Sequence, residues 1–233
     1  MSAPAPALGR PRLHLRVTGS TNDRAAALAA AGAPHGTLVT AGEQRAGRGR
    51  QGRAWVAPAG RALLASLVLR GPDFALLPLA AGLAVARVAG DGALIKWPND
   101  VLVDGRKVAG ILAEGRPQEG WAVLGVGVNV AVRPGDLPAA LRDHAGTLGL
   151  EPDHVEPTLA ELLEALAETL ALEPASLLAA YRALDALDGH EVAWDGGRGR
   201  AEGIDDEGRL VVALDGGRRA ALNAGEVHLA GGA

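Results

Sequence analysis

The chain of 233 residues contains no cysteine, and this absence excludes several kinds of chemistry. Disulfide bonds, thiolate nucleophiles and thiolate zinc sites cannot form. The six histidines show no paired spacing of the His-x-x-x-His kind, so we expect no structural metal. The sequence also lacks a Walker-type GxxxxGK[ST] loop, and it suggests no Ser-His-Asp triad. Any catalysis must therefore rest on cationic side chains and backbone amides.

Aromatic residues and long apolar runs are scarce as well. Hydrophobic residues make up 48% of the chain, yet it holds one phenylalanine, one tyrosine and four tryptophans, so the core must be built from leucine, valine and alanine. No apolar stretch reaches the ~20 residues that span a bilayer. The amino terminus, MSAPAPALGRPR, lacks the pattern of a secretory signal. The sequence therefore predicts a cytoplasmic protein with no membrane partner.

Over the whole chain acidic residues outnumber basic ones, but positive charge is concentrated in one segment. The net charge of −4 and the pI near 5.9 do not favour binding to nucleic acid, and we expect no such partner. Between Glu43 and Arg61, however, five arginines stand against one acid. This local excess is better suited to a small anionic ligand than to a long polyanion.

Hydrophobic periodicity and turn residues predict the order of helices and strands. Helices are predicted at 20–32, 76–89, 158–170 and 174–187. The start of the third is predicted from a capping box of Thr158 and Glu161, which directly follows Pro157. Strands are predicted at 37–41, 63–69, 93–96, 101–103, 108–114 and 121–130. Five short strands between 191 and 229 indicate a small β-barrel. We expect an irregular tail at 1–12, a main domain at 13–187 and a β domain at 188–233.

The nine residues Gly47–Trp55, GRGRQGRAW, set three arginines and three glycines before a tryptophan. Glycine permits close backbone approach to a ligand, and arginine can pair bidentately with carboxylate or phosphate, so the segment indicates a flexible anion clamp. It also satisfies GxGxxG, but a dinucleotide site needs a helix to follow, and Arg53–Pro58 is a poor helix start. The remaining alternatives are an RNA-binding arginine-glycine tract and a solvated basic loop.

Two further clusters carry polar residues at strand ends. Lys96–Asp100 reads KWPND and is followed by KVAG at Lys107–Gly110, while Gly125–Asn129 reads GVGVN. A functional interpretation is that Lys107 offsets charge on a reacting phosphate while Asp100 orients a ligand group or a magnesium ion. Ordinary structural roles stay open, because the charges could face water and Asn129 could simply end a strand. Ser20 by itself suits a helix N-cap.

The order of these motifs resembles that of biotin protein ligases. The resemblance rests on STN at 20–22, EQRAGRGRQGRAW at 43–55, KWPND, KVAG and GVGVN, and covers about residues 13–230. It implies an α+β fold, with a class II synthetase-like mixed sheet flanked by helices and a C-terminal SH3-like barrel. The main domain would then be the catalytic domain that binds biotin and ATP. Only about twelve residues precede it, so the resemblance is to the type that lacks an N-terminal DNA-binding domain.

Carried over residue by residue, the resemblance implies a set of site residues. Catalytic roles would fall to Lys107, Arg48 and Asp100, with Asp100 also a possible magnesium ligand and no other metal ligand assigned. The implied biotin-binding residues are Ser20, Thr21, Asn22, Gln44, Arg48, Gly49, Arg50, Lys107, Gly110, Gly125 and Gly127. The implied ATP- or adenylate-binding residues are Arg48, Arg50, Arg53, Trp55, Lys96, Asn99 and Asn129.

The implied reaction has two steps. Biotin and ATP, with Mg²⁺, would give biotinoyl-5'-AMP, and biotin would then pass to a lysine of the biotin carboxyl carrier protein of acetyl-CoA carboxylase. A homodimer is possible, since family members often form one. The alternatives are a lipoate or octanoate protein ligase or transferase of the same fold and a non-enzymatic adenylate- or RNA-binding module.

Overall fold

The computed structural model describes residues 8–71, 73–223, 225 and 227–229. A seven-stranded sheet forms its centre, and only its first two strands pair in parallel; the other neighbours are antiparallel. The strands are β1 (Arg12–Leu15), β2 (Leu38–Ala41), β3 (Leu63–Arg70), β4 (Leu94–Lys96), β5 (Asp100–Val103), β6 (Arg106–Arg116) and β7 (Trp121–Val128). Their order across the sheet is β1-β2-β3-β7-β6-β5-β4. The predicted mixed sheet is thus confirmed, with β7 at its middle.

Helices cover both faces of this sheet. They are α1 (Thr21–Ala30), α2 (Leu77–Ala89), α3 (Ala139–Arg142), α4 (Val155–Leu170) and α5 (Pro174–Arg182). Successive side chains of a strand point to opposite faces. Val68 and Val123 accordingly pack against α1, whereas Leu67 and Leu124 belong to the large core that includes α2, α4 and α5. None of the helices in the described ranges is long and apolar enough to cross a bilayer.

The carboxy-terminal strands form a separate five-stranded antiparallel sheet. They are β8 (Glu191–Trp194), β9 (Gly197–Ile204), β10 (Leu210–Ala213), β11 (Arg219–Leu222) and β12 (Val227–Leu229), in the order β11-β10-β9-β8-β12. This arrangement agrees with an SH3-like domain, although no pairing of β11 with β12 closes a barrel within the described residues. Trp97 Nε1 donates to the carbonyl oxygen of Gly208 at 3.0 Å, which ties this sheet to the main one.

Two details of the sequence analysis are wrong, and a third is confirmed in position only. The predicted capping box does not form, because α4 begins at Val155 and the Thr158 hydroxyl donates to the carbonyl oxygen of His154 at 2.7 Å. Proline is tolerated in a first helical turn, so Pro157 does not delay the helix. The helix predicted at 174–187 ends at Arg182. Ser20 stands at the N-cap position of α1, but its side chain makes no capping hydrogen bond.

The early end of α5 has a cause in the sheet. Ile95 of β4 donates its backbone N–H to Leu184 at 2.7 Å, and Ala186 donates to Ile95 at 3.0 Å, so the chain after α5 runs beside β4 instead of continuing as a helix. Of the predicted tail, 1–7 lies outside the described residues, and Arg12 already belongs to β1. The boundary between domains at 187/188 stays a prediction.

Candidate active site

A cavity of about 570 Å³ opens over the middle of the large sheet. It is enclosed by the start of α1, the arginine-glycine loop Gly47–Trp55 and strands β5 to β7. Every residue that the sequence analysis assigned to a catalytic, biotin or adenylate role lines this cavity. The topology therefore brings together motifs separated by more than a hundred positions in the chain, while the contacts of each residue with a ligand stay predictions.

Glycines on β6 and β7 leave room for side chains to lie flat against the strands. A Cβ atom at Gly127 would stand 2.5 Å from the Trp55 ring, and one at Gly110 would stand 2.9 Å from it. A Cβ atom at Gly125 would overlap Asn22 Oδ1. The resemblance implies that these three glycines contact biotin; here the space above them holds Trp55 and Asn22.

One end of the cavity is lined by a polar network around Ser66. Gln44 Oε1 accepts from the Thr21 backbone N–H at 2.6 Å and from the Thr21 hydroxyl at 3.0 Å. Ser66 Oγ donates to Asn22 Oδ1 at 2.6 Å and lies 2.8 Å from Thr21 Oγ1. Because Ser66 is fully buried on β3, it fixes the Thr21 and Asn22 side chains of the STN motif from below.

Five cationic side chains line the cavity: Arg48, Arg50, Arg53, Lys96 and Lys107. Lys107 Nζ lies 2.6 Å from Asp100 Oδ1 and 5.8 Å from the centroid of the Trp55 ring. Arg48 Nη2 donates to Asp23 Oδ1 at 2.7 Å and to Glu114 Oε2 at 2.8 Å. Arg50 Nη1 donates to Asn99 Oδ1 at 3.2 Å. Among the described lining residues Asp100 is the only carboxylate, so the cavity walls carry a positive charge.

Two buried polar atoms of lining residues have neither a hydrogen-bond partner nor an ion-pair partner among the described residues. They are Trp55 Nε1, a donor, and Asn129 Oδ1, an acceptor, whereas Asn129 Nδ2 donates to the carbonyl oxygen of Gly146 at 2.9 Å. Buried polar groups in proteins are nearly always satisfied. Both atoms are therefore candidates to bind polar groups of a ligand.

Several residues that line the cavity were not predicted as site residues from the sequence. His144 belongs to the loop after β7, and Leu137 and Leu141 lie nearby; β12 contributes His228 and Leu229. The loop is held by strand-like pairing, since Lys107 donates its backbone N–H to His144 at 2.8 Å. Neither segment has a motif that could have indicated its position. Ser66 did carry a weak indication, as the one hydroxyl in the apolar run Leu63–Arg70.

Among the described residues, protein side chains alone form no metal centre. In the part of the chain that the structure describes, no three histidine, aspartate or glutamate side chains gather closely enough to hold an ion. Asp100 is paired with Lys107 at 2.6 Å. Any metal at this site would thus need ligand oxygens to complete its coordination.

Comparison with protein families assigns this fold and cavity to a class. The model for the Biotin/lipoate A/B protein ligase family matches residues 15–130, and the model for the biotin protein ligase C terminal domain matches residues 187–229. The class is therefore one of ligases for biotin or lipoate with the matching C-terminal domain.

Individual relatives narrow this class. The biotin--[acetyl-CoA-carboxylase] ligase of Mycobacterium tuberculosis is 38% identical over 234 residues, covering 91% of this chain and 86% of that protein. The corresponding ligase of Paracoccus denitrificans is 36% identical over 241 residues, covering 92% and 98%. The chain belongs to the biotin protein ligase family. It spans about half the length (47%) of the bifunctional ligase/repressor of Bacillus subtilis, with which it shares 40% identity over 153 residues, or 60% of this chain.

Solved structures share the fold. A point mutant of the Aquifex aeolicus biotin protein ligase in complex with biotin superimposes with a TM-score of 0.78 at 26% identity, covering 94% of this chain and 97% of that one. The Aquifex aeolicus ligase in complex with biotin and ATP gives a TM-score of 0.80 at 24% identity, covering 95% and 100%.

Proposed function

We propose that this protein activates biotin with ATP to biotinoyl-5'-AMP and transfers biotin to a lysine of the biotin carboxyl carrier protein of acetyl-CoA carboxylase. The observation that carries the proposal is the composition of a single cavity, which joins a neutral polar end to a wall of five cations. Biotin has a matching polarity, with a neutral ureido ring at one end and a carboxylate at the other. The named activities of the Mycobacterium and Paracoccus relatives support the same assignment.

The polar end selects between biotin and the lipoyl alternative. Hydroxyl and amide groups are present here on Thr21, Asn22 and Gln44. A ureido ring has two N–H donors and a carbonyl acceptor, which can hydrogen-bond to such groups. A dithiolane ring or an alkyl chain offers no N–H or C=O group to this polar end, and a site built to hydrogen-bond its substrate rejects analogues that lack the bonding groups. Lipoate and octanoate are therefore the weaker candidates.

The cationic wall accounts for the first chemical step. A biotin carboxylate oxygen attacks the α-phosphorus of ATP, the bond to the β-phosphate oxygen breaks, and pyrophosphate leaves with the electron pair. Lys107 and Arg48 offset the repulsion between the two anions and the charge that develops on the α-phosphate. Asp100 holds Lys107 in place at 2.6 Å. Arg50 and Arg53 supply further positive charge to the cavity wall, and the adenylate would lie beside Trp55.

Magnesium would enter with the nucleotide. Mg²⁺ in nucleotide sites is commonly held by one or two carboxylates together with substrate phosphates, and the lack of a side-chain metal cluster in the described residues fits that pattern. Asp100 is the candidate carboxylate. When bound, the ion would neutralise charge on the leaving pyrophosphate.

In the second step the ε-amine of the carrier lysine attacks the carbonyl carbon of the mixed anhydride. An amide bond forms, AMP leaves with the electron pair, and the amine releases its proton to solvent. The loop Gly47–Trp55 would shield the anhydride from water until the carrier arrives.

The test is a reconstituted reaction. Purified protein is incubated with ATP, Mg²⁺ and labelled biotin, and pyrophosphate release and label on a carrier domain are followed together. We expect the label to be transferred only when ATP and the acceptor lysine are both present. Lipoate should not substitute for biotin in this reaction. Pyrophosphate release with lipoate but not biotin would overturn the choice of substrate, and ligand binding without any pyrophosphate release would favour a non-enzymatic module.

A further inference from the structure

Glu114 joins two parts of the site that the sequence treats as separate motifs. Its Oε2 atom accepts from Asn22 Nδ2 at 2.8 Å and from Arg48 Nη2 at 2.8 Å. Asn22 is buried at the polar end of the cavity, whereas Arg48 belongs to the arginine-glycine loop. A single carboxylate oxygen therefore bonds to both the pocket and the loop.

Asp23 provides a contrast within the same contact. Its Oδ1 atom accepts from the same Arg48 nitrogen at 2.7 Å, so both carboxylates hold the loop. The Asp23 side chain is 61% exposed, however, and the Glu114 side chain 38%. In the described structure Asn22 bonds to Glu114 and not to the side chain of Asp23. Both acids therefore hold Arg48, but of these two side chains only that of Glu114 also bonds to Asn22.

We propose that Glu114 is a positioning residue that couples the polar pocket to the arginine-glycine loop. Its carboxylate sets the amide of Asn22 for the neutral end of the ligand and at the same time holds Arg48 over the cavity. Charged acceptors bind more strongly than neutral ones, so one anion can order both groups. Asp23 only strengthens the hold on the loop. The pocket half of the proposal rests on the proposed function; the loop half does not.

Limited trypsin digestion of the ligand-free protein tests the loop half, since trypsin cleaves after arginine and the loop contains three. Glu114→Gln and Asp23→Asn should each speed cleavage within the loop Gly47–Trp55 by up to about fivefold, the factor that corresponds to about 1 kcal/mol of partly exposed ion pairing. Glu202→Gln is the matched control, because it removes an exposed carboxylate that pairs with Arg219 far from the cavity. Mass spectrometry locates the cuts, and urea denaturation verifies that each variant is folded.

The steady-state constants of pyrophosphate release test the pocket half. Glu114→Gln should raise the KM for biotin about fivefold, with a smaller change in the KM for ATP, while Asp23→Asn should leave the KM for biotin within about twofold of the unmodified protein. A change in the KM for biotin in Glu114→Gln but not in Asp23→Asn is what a coupling residue predicts. A general loss of structure would not produce this difference between the two variants.

Two results would overturn the proposal. One is an unchanged rate of cleavage in folded Glu114→Gln; the other is an equal effect of the two substitutions on the KM for biotin. An unmodified protein that is inactive with biotin would instead contradict the proposed function, and the digestion would still decide whether Glu114 holds the loop.

Discussion

Asp185 is a partly buried acid that should make the stability of this protein depend on pH. It lies in the segment that runs beside β4, and its Oδ1 atom accepts from the Leu187 backbone N–H at 2.9 Å. Its Oδ2 atom is buried with no hydrogen-bond partner among the described residues. Burial raises the pKa of Asp185 from 3.8 to about 6, and the negative charge of Asp188 acts in the same direction.

The sign follows from proton binding. Because the pKa is higher in the folded protein, the folded state binds more protons than the unfolded chain between about pH 4 and pH 6. The contribution of Asp185 to the free energy of unfolding is therefore present below pH 4 and is lost as the pH rises through 6. A shift of about two units corresponds to about 3 kcal/mol, since each unit is worth about 1.4 kcal/mol.

Asp185→Asn isolates this contribution. Asparagine keeps the acceptor for Leu187 and cannot ionise, so the variant should match the unmodified protein in stability near pH 4 and exceed it by up to about 3 kcal/mol at pH 7. Urea denaturation of both proteins at half-unit steps from pH 4 to pH 7 measures the difference. A stability difference that stays constant over this range would show that Asp185 ionises as easily in the folded protein as in the unfolded chain, and would refute the reasoning.

Three further changes have defined outcomes. Lys107→Ala should slow pyrophosphate release by about a hundredfold or more in a protein that still folds, the usual cost of losing one charge-stabilising group; a near-normal rate would remove Lys107 from the chemistry. Gly127→Ala should displace the Trp55 ring and raise the KM for ATP about tenfold, consistent with the 1–3 kcal/mol cost of overpacking, whereas Gly135→Ala, with open space around the added methyl, should not. Tyr181→Phe should leave the free energy of unfolding, measured in urea, unchanged or raise it by about 1 kcal/mol, because the buried Tyr181 hydroxyl has no partner in the described structure; a loss of stability would reveal a bound partner.

The sequence predicted six of the seven strands of the main sheet from their local apolar patterns, and it missed β1 (Arg12–Leu15). Trp121–Val128 is apolar throughout and lies at the middle of the sheet, and Asp104-Gly105, a dipeptide typical of hairpin turns, makes the turn between β5 and β6. The helix starts were harder. Thr158 and Glu161 satisfy the capping pattern, but the same hydroxyl can bond backward to a carbonyl once the helix begins earlier, and local sequence does not distinguish the two arrangements.

The sequence predicted which motifs belong to the site, but it did not predict the hydrogen bonds that connect them. Glycines and arginines in GRGRQGRAW indicate an anion site by their chemistry alone, and this loop does line the cavity. Ser66 and Glu114 have no motif, yet they connect the residues that do. Their positions depend on the register of β3, β6 and β7, which places Ser66 opposite Gly125 and Glu114 opposite Val123. Register is a property of the folded sheet, so sequence patterns gave no access to it.

The way in which each cation is held indicates a division of labour. Lys107 and Asp100 stand on adjacent strands, β6 and β5, and their 2.6 Å contact is fixed by the sheet, with the carboxylate only 15% exposed. Arg48 is held by two more exposed acids and belongs to a loop. Catalytic charge must be placed before the reaction to be effective, whereas a closing segment must be released for substrate entry and product exit. We therefore expect the rate of the chemical step to depend most on Lys107, and the retention of the adenylate to depend most on Arg48 and the acids that hold it.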